Sequence, residues 1–367
     1  MNLNKLRLKA LRKEGIGVFL FPVLWSLSKL YCFGAEVRNF LYSNGFLESK
    51  AFPFPVISVG NIVAGGSGKT PLTESIYLIL EEMGFSPAIV SRGYKGKEKG
   101  PAFATDNVEL FGDEASLYAV KGYKTIVSKN KLKGIEYAFL KGANVVILDD
   151  GFQYRKLLPK INIAVIDPFN PFGDNYCLPL GLLREAPKNL ERADCFVITR
   201  SNLIDSKRLN SLELYLRSFR KPIFLAEQVF KFWINESFER TEPPEREIDV
   251  FCGIGNPSQF VEMLINMGYK VRNYVIYDDH HAYTQDDIKE LKRFKNLVTT
   301  EKDLIKLRKS GLRLKAPVIR FDAYGLKEYL SSNIENTEKL EEEVERGFIP
   351  SGISTFKGES FFNKENW

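Results

Sequence analysis

The segment Gly60-Asn-Ile-Val-Ala-Gly65-Gly66-Ser67-Gly68-Lys69-Thr70 constrains this chain more than any other. It follows the apolar run Pro55-Val-Ile-Ser-Val59, which reads as a buried strand, and precedes a helical pattern that ends near Met83. A glycine-rich turn between strand and helix lets backbone N–H groups close around phosphate oxygens, and the helix N-terminus adds a favourable dipole. In that setting Lys69 reaches the β- and γ-phosphates of ATP and the Thr70 hydroxyl binds Mg2+. Gly65, Gly66, Ser67, Gly68, Lys69 and Thr70 are therefore the expected nucleotide-binding residues. Val63 stands where the general pattern has its first glycine.

The remaining periodicity agrees with such a site. Strand-like runs recur at Ala88–Val90, Thr125–Val127, Val145–Leu148, Ile161–Ile166 and Phe196–Thr199, with helical patterns between several of them. Short apolar runs alternating with helices predict a mostly parallel sheet covered on both faces. The fold class is thus α/β, a P-loop NTPase-like α/β/α sandwich over residues 51–228. After Ile223–Ala226 the chain turns polar, with Pro243-Pro244, so residues 229–247 read as a linker. A second βα series over 248–332 predicts a smaller α/β domain, and residues 333–367 a peripheral tail. The four cysteines form no CxxC pair, and the formal charge of +6 is too mild to select nucleic acid as a partner.

The first fifty residues form a separate basic and apolar segment. Lys5, Arg7, Lys9, Arg12 and Lys13 precede an uncharged stretch from Gly15 to Ser28, in which Pro22 is expected to kink or restart a helix. That stretch is shorter than the roughly 20 residues a bilayer span needs. It therefore reads either as a buried core helix or as a helix lying in a membrane interface.

Several other groups carry possible chemistry. Val145-Val-Ile-Leu-Asp149-Asp150 is an apolar strand ending in acid, the arrangement with which P-loop enzymes hold their metal. Gly112-Asp113-Glu114 stands at a helix start, where acids cap and complement the dipole; the alternative is that Asp113 is a general base. The adjacent histidines, His280 and His281, follow Asp279, and an Asp-His neighbour can tune a base. Arg92 and Arg184 are candidates to neutralise phosphate.

In this order the motifs resemble the tetraacyldisaccharide 4′-kinases, the lipid A 4′-kinases of Gram-negative bacteria. The resemblance runs to about residue 325 through Gly60-Asn61, Gly65–Pro71, Ser91–Tyr94, Gly112–Glu114, Leu148–Gln153, Pro179–Glu185, Gly253–Pro257, Asp279-His280 and Thr300–Asp303. It implies transfer of the ATP γ-phosphate to the 4′-hydroxyl of an acylated glucosamine disaccharide 1-phosphate, on the cytoplasmic face of the inner membrane. It implies no nucleic-acid partner and no obligate protein partner. By position, Asp113 is the implied base and His280 its partner. Lys69, Thr70, Asp149 and Asp150 serve phosphate and magnesium. Glu114 joins Thr70 and Asp150 at the metal, and Arg92, Tyr94, Arg184, Glu185 and Tyr154 line the substrate side. The family usually has His where Tyr154 stands, and a phenol carries no positive charge at neutral pH. Two rivals remain on the sequence: a P-loop switch or metallochaperone, and a soluble small-molecule kinase. The switch lacks its usual Asn-Lys-x-Asp motif, since Thr199-Arg200 is followed by Ser201-Asn202.

Overall fold

The computed structural model of the chain describes residues 3–334. Two helices, α1 (Leu3–Arg12) and α2 (Gly17–Ser43), come first. A first βα series follows: β1 (Val56–Gly60), α3 (Lys69–Glu82), β2 (Pro87–Ser91), β3 (Ala102–Phe103), α4 (Val108–Phe111), α5 (Asp113–Val120), β4 (Thr125–Val127), α6 (Lys131–Leu140), β5 (Val145–Asp149), β6 (Ile161–Ile166), β7 (Cys195–Thr199) and α7 (Ser206–Arg217). The hairpin strands β8 (Ile223–Asn235) and β9 (Arg240–Thr241) lead into the second series. It comprises β10 (Glu247–Cys252), α8 (Pro257–Asn266), β11 (Lys270–Ile276), α9 (Gln285–Leu291), β12 (Leu297–Val298), α10 (Glu301–Leu307), β13 (Leu314–Ala323) and α11 (Leu326–Ile334).

Among the described residues all thirteen strands join one sheet, in the order β11-β10-β12-β13-β8-β7-β6-β1-β5-β2-β4-β3, with β9 beside β8. Strands β1, β2 and β5 are buried at every residue, which is why they read as continuous apolar runs. Successive side chains point to opposite faces. Ile57, Val59 and Ile147 therefore pack with Leu72 and Ile76 of α3, while Val56, Val146 and Leu148 pack with Ile135 and Ala138 of α6.

Strand β8 sets the shape of the site. Residues 223–226 pair parallel with β7, and residues 226–235 pair antiparallel with β13. The strand thus runs past the carboxyl end of its first partner, and β13 returns along the overshoot. Strands β10 and β12 lie parallel to β13's direction. Their carboxyl ends consequently face those of β1 and β5 across a cleft. The expected linker is corrected here: residues 229–235 continue β8. The β-branched and aromatic run Val229-Phe-Lys-Phe-Trp-Ile234 was a strand signal, masked by the polar, Pro-containing stretch after it.

The N-terminal expectation also changes. Helix α2 has 27 residues and contains Pro22 without breaking. Proline sits there in the second turn and gives up one ladder bond, the one to the Val18 carbonyl, without ending the helix. By length and composition α2 is able to cross a membrane, and only 6% of its most apolar window is buried. That rules out the core-helix reading. The tail expected over 333–367 lies almost wholly outside the described residues.

A buried charge cluster ties the two series together. Glu74 of α3, 1% exposed, accepts from Lys121 Nζ at 2.8 and 2.9 Å and pairs with Arg320 of β13. Lys121 also meets Glu301 of α10 at 2.5 Å. Removing one member of a buried pair strands the others without compensation, which costs about 3–5 kcal/mol. Glu74→Ala is expected to lower unfolding stability by that amount in urea titration, whereas Glu82→Ala, at a half-exposed surface pair with Lys327, stays within about 0.5 kcal/mol.

Candidate functional site

The cleft between the facing strand ends has a volume of about 1440 Å³. Its floor is the glycine-rich loop. Gly65 and Gly68 have φ of +113° and +82°, and a Cβ on Gly68 would lie 2.8 Å from the Phe321 ring, so the last glycine is demanded by both backbone and space. The loop is fastened from several sides. Asn61 Nδ2 donates to Ser67 Oγ at 2.7 Å, the Thr199 hydroxyl to the Ser67 carbonyl at 3.0 Å, and Arg200 Nη2 to the Gly66 carbonyl at 3.2 Å. Ala64 N–H donates to the Leu182 carbonyl and Arg184 N–H to that of Ile62, at 2.7 and 2.8 Å. Backbone held this way is preorganised to receive phosphate.

Lys69 begins α3 and donates to Asn61 Oδ1 at 3.3 Å, with Asp150 Oδ1 3.6 Å away. Asp150 sits at φ +51°, a left-handed conformation uncommon for a residue with a Cβ. Arg184 Nη1 donates to both of its oxygens at 2.8 Å. Burial pushes this carboxyl up, but Lys69, Arg184 and Lys131 outweigh it and hold it far below the carboxylate range. Asp149 goes the other way. Burial, then the charges of Glu114 and Asp150, raise it to about 7. The Thr70 hydroxyl donates to Glu114 Oε1 at 3.2 Å. Thr70, Glu114 and Asp149 thus form a patch of oxygen donors whose negative charge a hard divalent cation would relieve, and they fit Mg2+. Asp150, expected at the metal, is here a partner of cations.

Across the cleft, His280 Nδ1 meets Asp113 Oδ2 at 2.6 Å. His280 also has a left-handed φ, +57°, after β11, and its N–H donates to the Gly253 carbonyl at the end of β10. Its ring lies 5.0 Å from that of Tyr94. Lys302 of α10 donates to Glu114 Oε1 at 2.6 Å, and Lys306 lies 3.8 Å from Asp113 Oδ2. Burial raises the Asp113 carboxyl, but its bond to His280 and the charges of His280, Lys302 and Lys306 bring it down to about 2. The bond to Asp113 raises His280 above its ordinary value of 6.5, against burial.

The structure brings most of the expected residues to one place. Gly65 to Thr70, Arg92, Tyr94, Glu114, Asp149, Asp150, Tyr154, Arg184 and His280 line the cleft, and Asp113 lies against His280. Glu185 does not line it. That side chain is fully buried and accepts from Asn39 of α2 at 2.9 Å, Gln153 at 2.8 Å and Arg192 at 2.8 Å, so it joins α2 to the back of the site. Residues not singled out from the sequence are present too. Lys131 donates to the Asp149 and Asp150 carbonyls at 2.9 and 2.7 Å, and Gln153 to the Asn61 carbonyl at 2.7 Å. Gln153 lay inside a recognised motif; Lys131, in the run Lys129-Asn-Lys-Leu-Lys133, gave no signal distinguishing it from its neighbours.

Known proteins resemble this chain in sequence and fold. The chain is 35% identical over 308 residues to the tetraacyldisaccharide 4′-kinase of Desulfotalea psychrophila, covering 78% of this chain and 88% of the relative. It is likewise 35% identical over 310 residues to that of Syntrophus aciditrophicus, covering 76% and 82%. The crystal structure of LpxK from Aquifex aeolicus in complex with ATP superposes with a TM-score of 0.70 at 32% identity, over 85% of this chain and 97% of that one. The sequence model of the tetraacyldisaccharide-1-P 4′-kinases matches residues 20–342, and the chain belongs to that family.

Proposed function

We propose that this kinase transfers the γ-phosphate of ATP to the 4′-hydroxyl of a tetraacyl glucosamine disaccharide 1-phosphate at the cytoplasmic face of a bacterial inner membrane. The observation that carries the reading is the 2.6 Å contact between Asp113 and His280, made from opposite sides of the cleft that holds the phosphate loop. A sugar hydroxyl is a weak nucleophile, so a positioned base that takes its proton lowers the barrier by a large factor. In this reading Asp113 accepts the proton and His280 shares it. Lys69 and the loop N–H groups bind the triphosphate, and Arg184, anchored on Asp150, borders it. Mg2+ held by Thr70, Glu114 and Asp149 would neutralise phosphate charge. Residues 51–228 and 248–332 act as two units whose approach completes the base.

Helix α2 fits the lipid acceptor. Its inner face contributes Leu27, Leu30, Tyr31, Gly34, Ala35 and Arg38 to the cleft, while Phe19, Phe33 and Phe40 are 79%, 66% and 59% exposed. A helix apolar on its outer side and preceded by basic residues suits an anionic membrane surface.

Transfer of labelled γ-phosphate to the purified disaccharide 1-phosphate in detergent micelles tests the reaction. Wild type is expected to give a labelled bis-phosphate lipid, and Asp113→Ala and His280→Ala to lose about 100- to 10,000-fold in kcat. No transfer by folded wild type that binds ATP would sink the assignment.

The pH profile follows from the pair. Asp113, at about 2, is ionised throughout the working range and supplies no limb. Protonated His280 satisfies its partner and weakens the base, so activity rises as His280 loses its proton. Because that group is raised above 6.5, the acid limb of kcat/KM should lie above pH 6.5 and vanish in the residual activity of His280→Ala. A limb at or below 6.5 removes the coupling.

For the membrane, the triple substitution of Phe19, Phe33 and Phe40 by Ser should weaken partition onto anionic vesicles by about tenfold or more, with an unchanged circular dichroism spectrum. Undiminished binding would assign membrane contact to another surface.

A further inference from the structure

We propose that Lys302 is a further catalytic residue: a cation that the second βα series lends to the first, aimed at the transferring phosphoryl group. The inference rests on the phosphotransfer reading above and adds a residue to it.

Lys302 lies in the first turn of α10, directly after the carboxyl end of β12, so the reversed strand direction of the second series delivers it to the cleft from the side opposite the phosphate loop. Its ammonium shares one oxygen, Glu114 Oε1, with the Thr70 hydroxyl, at 2.6 and 3.2 Å. Thr70 is the loop residue adjacent to Lys69, the expected β/γ-phosphate ligand. Lys302 therefore stands beside the place where the terminal phosphate must lie.

The other charged groups of this helix are tied to partners away from the phosphate loop, whereas Lys302 pairs across the cleft with Glu114 beside it. Glu301 closes the buried cluster with Lys121, Asp303 accepts from the Gly253 N–H at 2.9 Å, and Lys306 bonds Asp303 at 3.1 Å. Arg308, just beyond the helix, pairs with Asp106. The Lys306 side chain is 9% exposed and turned into the protein, whereas that of Lys302 is 28% exposed and lines the cleft. Glu301 with Lys121 and Lys306 beside Asp113 also link α10 to α5. Burial opposes its charge, but Glu114 and Asp113 outweigh that and keep it above the ordinary lysine range, so it is a permanent cation.

Phosphoryl transfer spreads negative charge over the equatorial oxygens of the moving group, and cations placed there stabilise the transition state more than the ground state. The bond from the acceptor oxygen to the γ-phosphorus forms as the bond to the β–γ bridging oxygen breaks. ADP leaves with that electron pair, and the acceptor proton passes to the Asp113–His280 pair. Lys302 stays protonated and forms no covalent bond. A lysine suits the task, being a compact charge on a flexible four-carbon stem that is able to leave Glu114 for a phosphate oxygen.

The test compares wild type, Lys302→Ala, Lys302→Gln, Lys302→Arg and the surface control Lys289→Ala. Lipid phosphorylation, lipid-independent ATP hydrolysis, ATP affinity by calorimetry and thermal midpoint are measured for each. The expected result is a fall in kcat of about 100- to 1,000-fold for Ala and Gln in both reactions. ATP affinity should hold close to wild type, the midpoint should fall for Ala and Gln because Glu114 loses its partner, Arg should regain part of the rate, and Lys289→Ala should be normal. Unchanged kcat, or losses confined to KM and thermal midpoint, would reduce Lys302 to a docking contact. If wild type hydrolyses ATP without phosphorylating the lipid, the acceptor assignment fails, while a lowered hydrolysis rate in Lys302→Gln still supports this role.

Discussion

Asp113 and Glu114 open helix α5 as two adjacent carboxylates in a largely buried place, and the rest of the molecule is arranged around what they require. Burying carboxylates without partners costs several kcal/mol each. Among the described residues of the first series, the Thr70 hydroxyl donates to Glu114 at 3.2 Å and the Glu114 N–H to Asp113 Oδ1 at 2.9 Å, and neither brings a charge. The cations come from far along the chain: His280 to Asp113, Lys302 to Glu114, and Lys306 behind both. The second series is thus more than an appended lobe, because it supplies the charge that makes this acidic corner tenable. The same corner is where the base and the magnesium ligands are proposed, so the electrostatic requirement of folding and that of chemistry fall on the same side chains.

The sheet makes that meeting possible. In an ordinary doubly wound sheet all carboxyl ends lie on one edge, and ligands bind along it. Here β8 carries the sheet beyond that edge and β13 turns the strand direction around, so two sets of carboxyl ends confront each other. Loops after β1, β2 and β5 supply phosphate-directed groups, while those after β10, β11 and β12 supply His280 and Lys302. Two residues at this confrontation, Asp150 and His280, hold left-handed backbone that the surrounding bonds must stabilise. Such local cost is typical of positions where side-chain aim matters more than backbone comfort.

Much of this was legible in the residues. The P-loop, the fold class and the strand run ending at Asp149-Asp150 follow from local pattern, since glycine, periodicity and strand-terminal acids act over a few residues. What the pattern could not show is which groups meet across long separations. Gly112-Asp113-Glu114 stayed open between cap and base because the partner that distinguishes the two is His280. Glu185 was expected to line the site through the family resemblance, yet the chain bends at Arg184 and Glu185, and Glu185 turns inward to Asn39. Helix α2 was cut short at Ser28 because the reading followed an uncharged window. The helix continues through Lys29, Glu36 and Arg38, whose charges find partners or face the cleft: Glu36 accepts from Asn189 at 2.6 Å, and Arg38 lines the cavity.

That longer helix bears on how a lipid acceptor would enter. Its inner contacts, Ser28 to the Cys177 carbonyl at 2.7 Å and Asn39 to Glu185 at 2.9 Å, fasten α2 from Ser28 onward to the catalytic series. Ahead of Ser28, where Val18, Phe19 and Val23 are exposed, α2 makes no comparable side-chain hydrogen bond among the described residues. A helix pinned at one end and apolar at the other is suited to dip into the headgroup layer while its pinned end walls the cleft. Acyl chains would then stay with the exposed apolar side, and only the sugar would have to leave the interface. In the proposed reading Glu185 would link the seat of α2 to the active site, since its partners Gln153 and Arg192 also bond the backbone at Asn61 and Phe152.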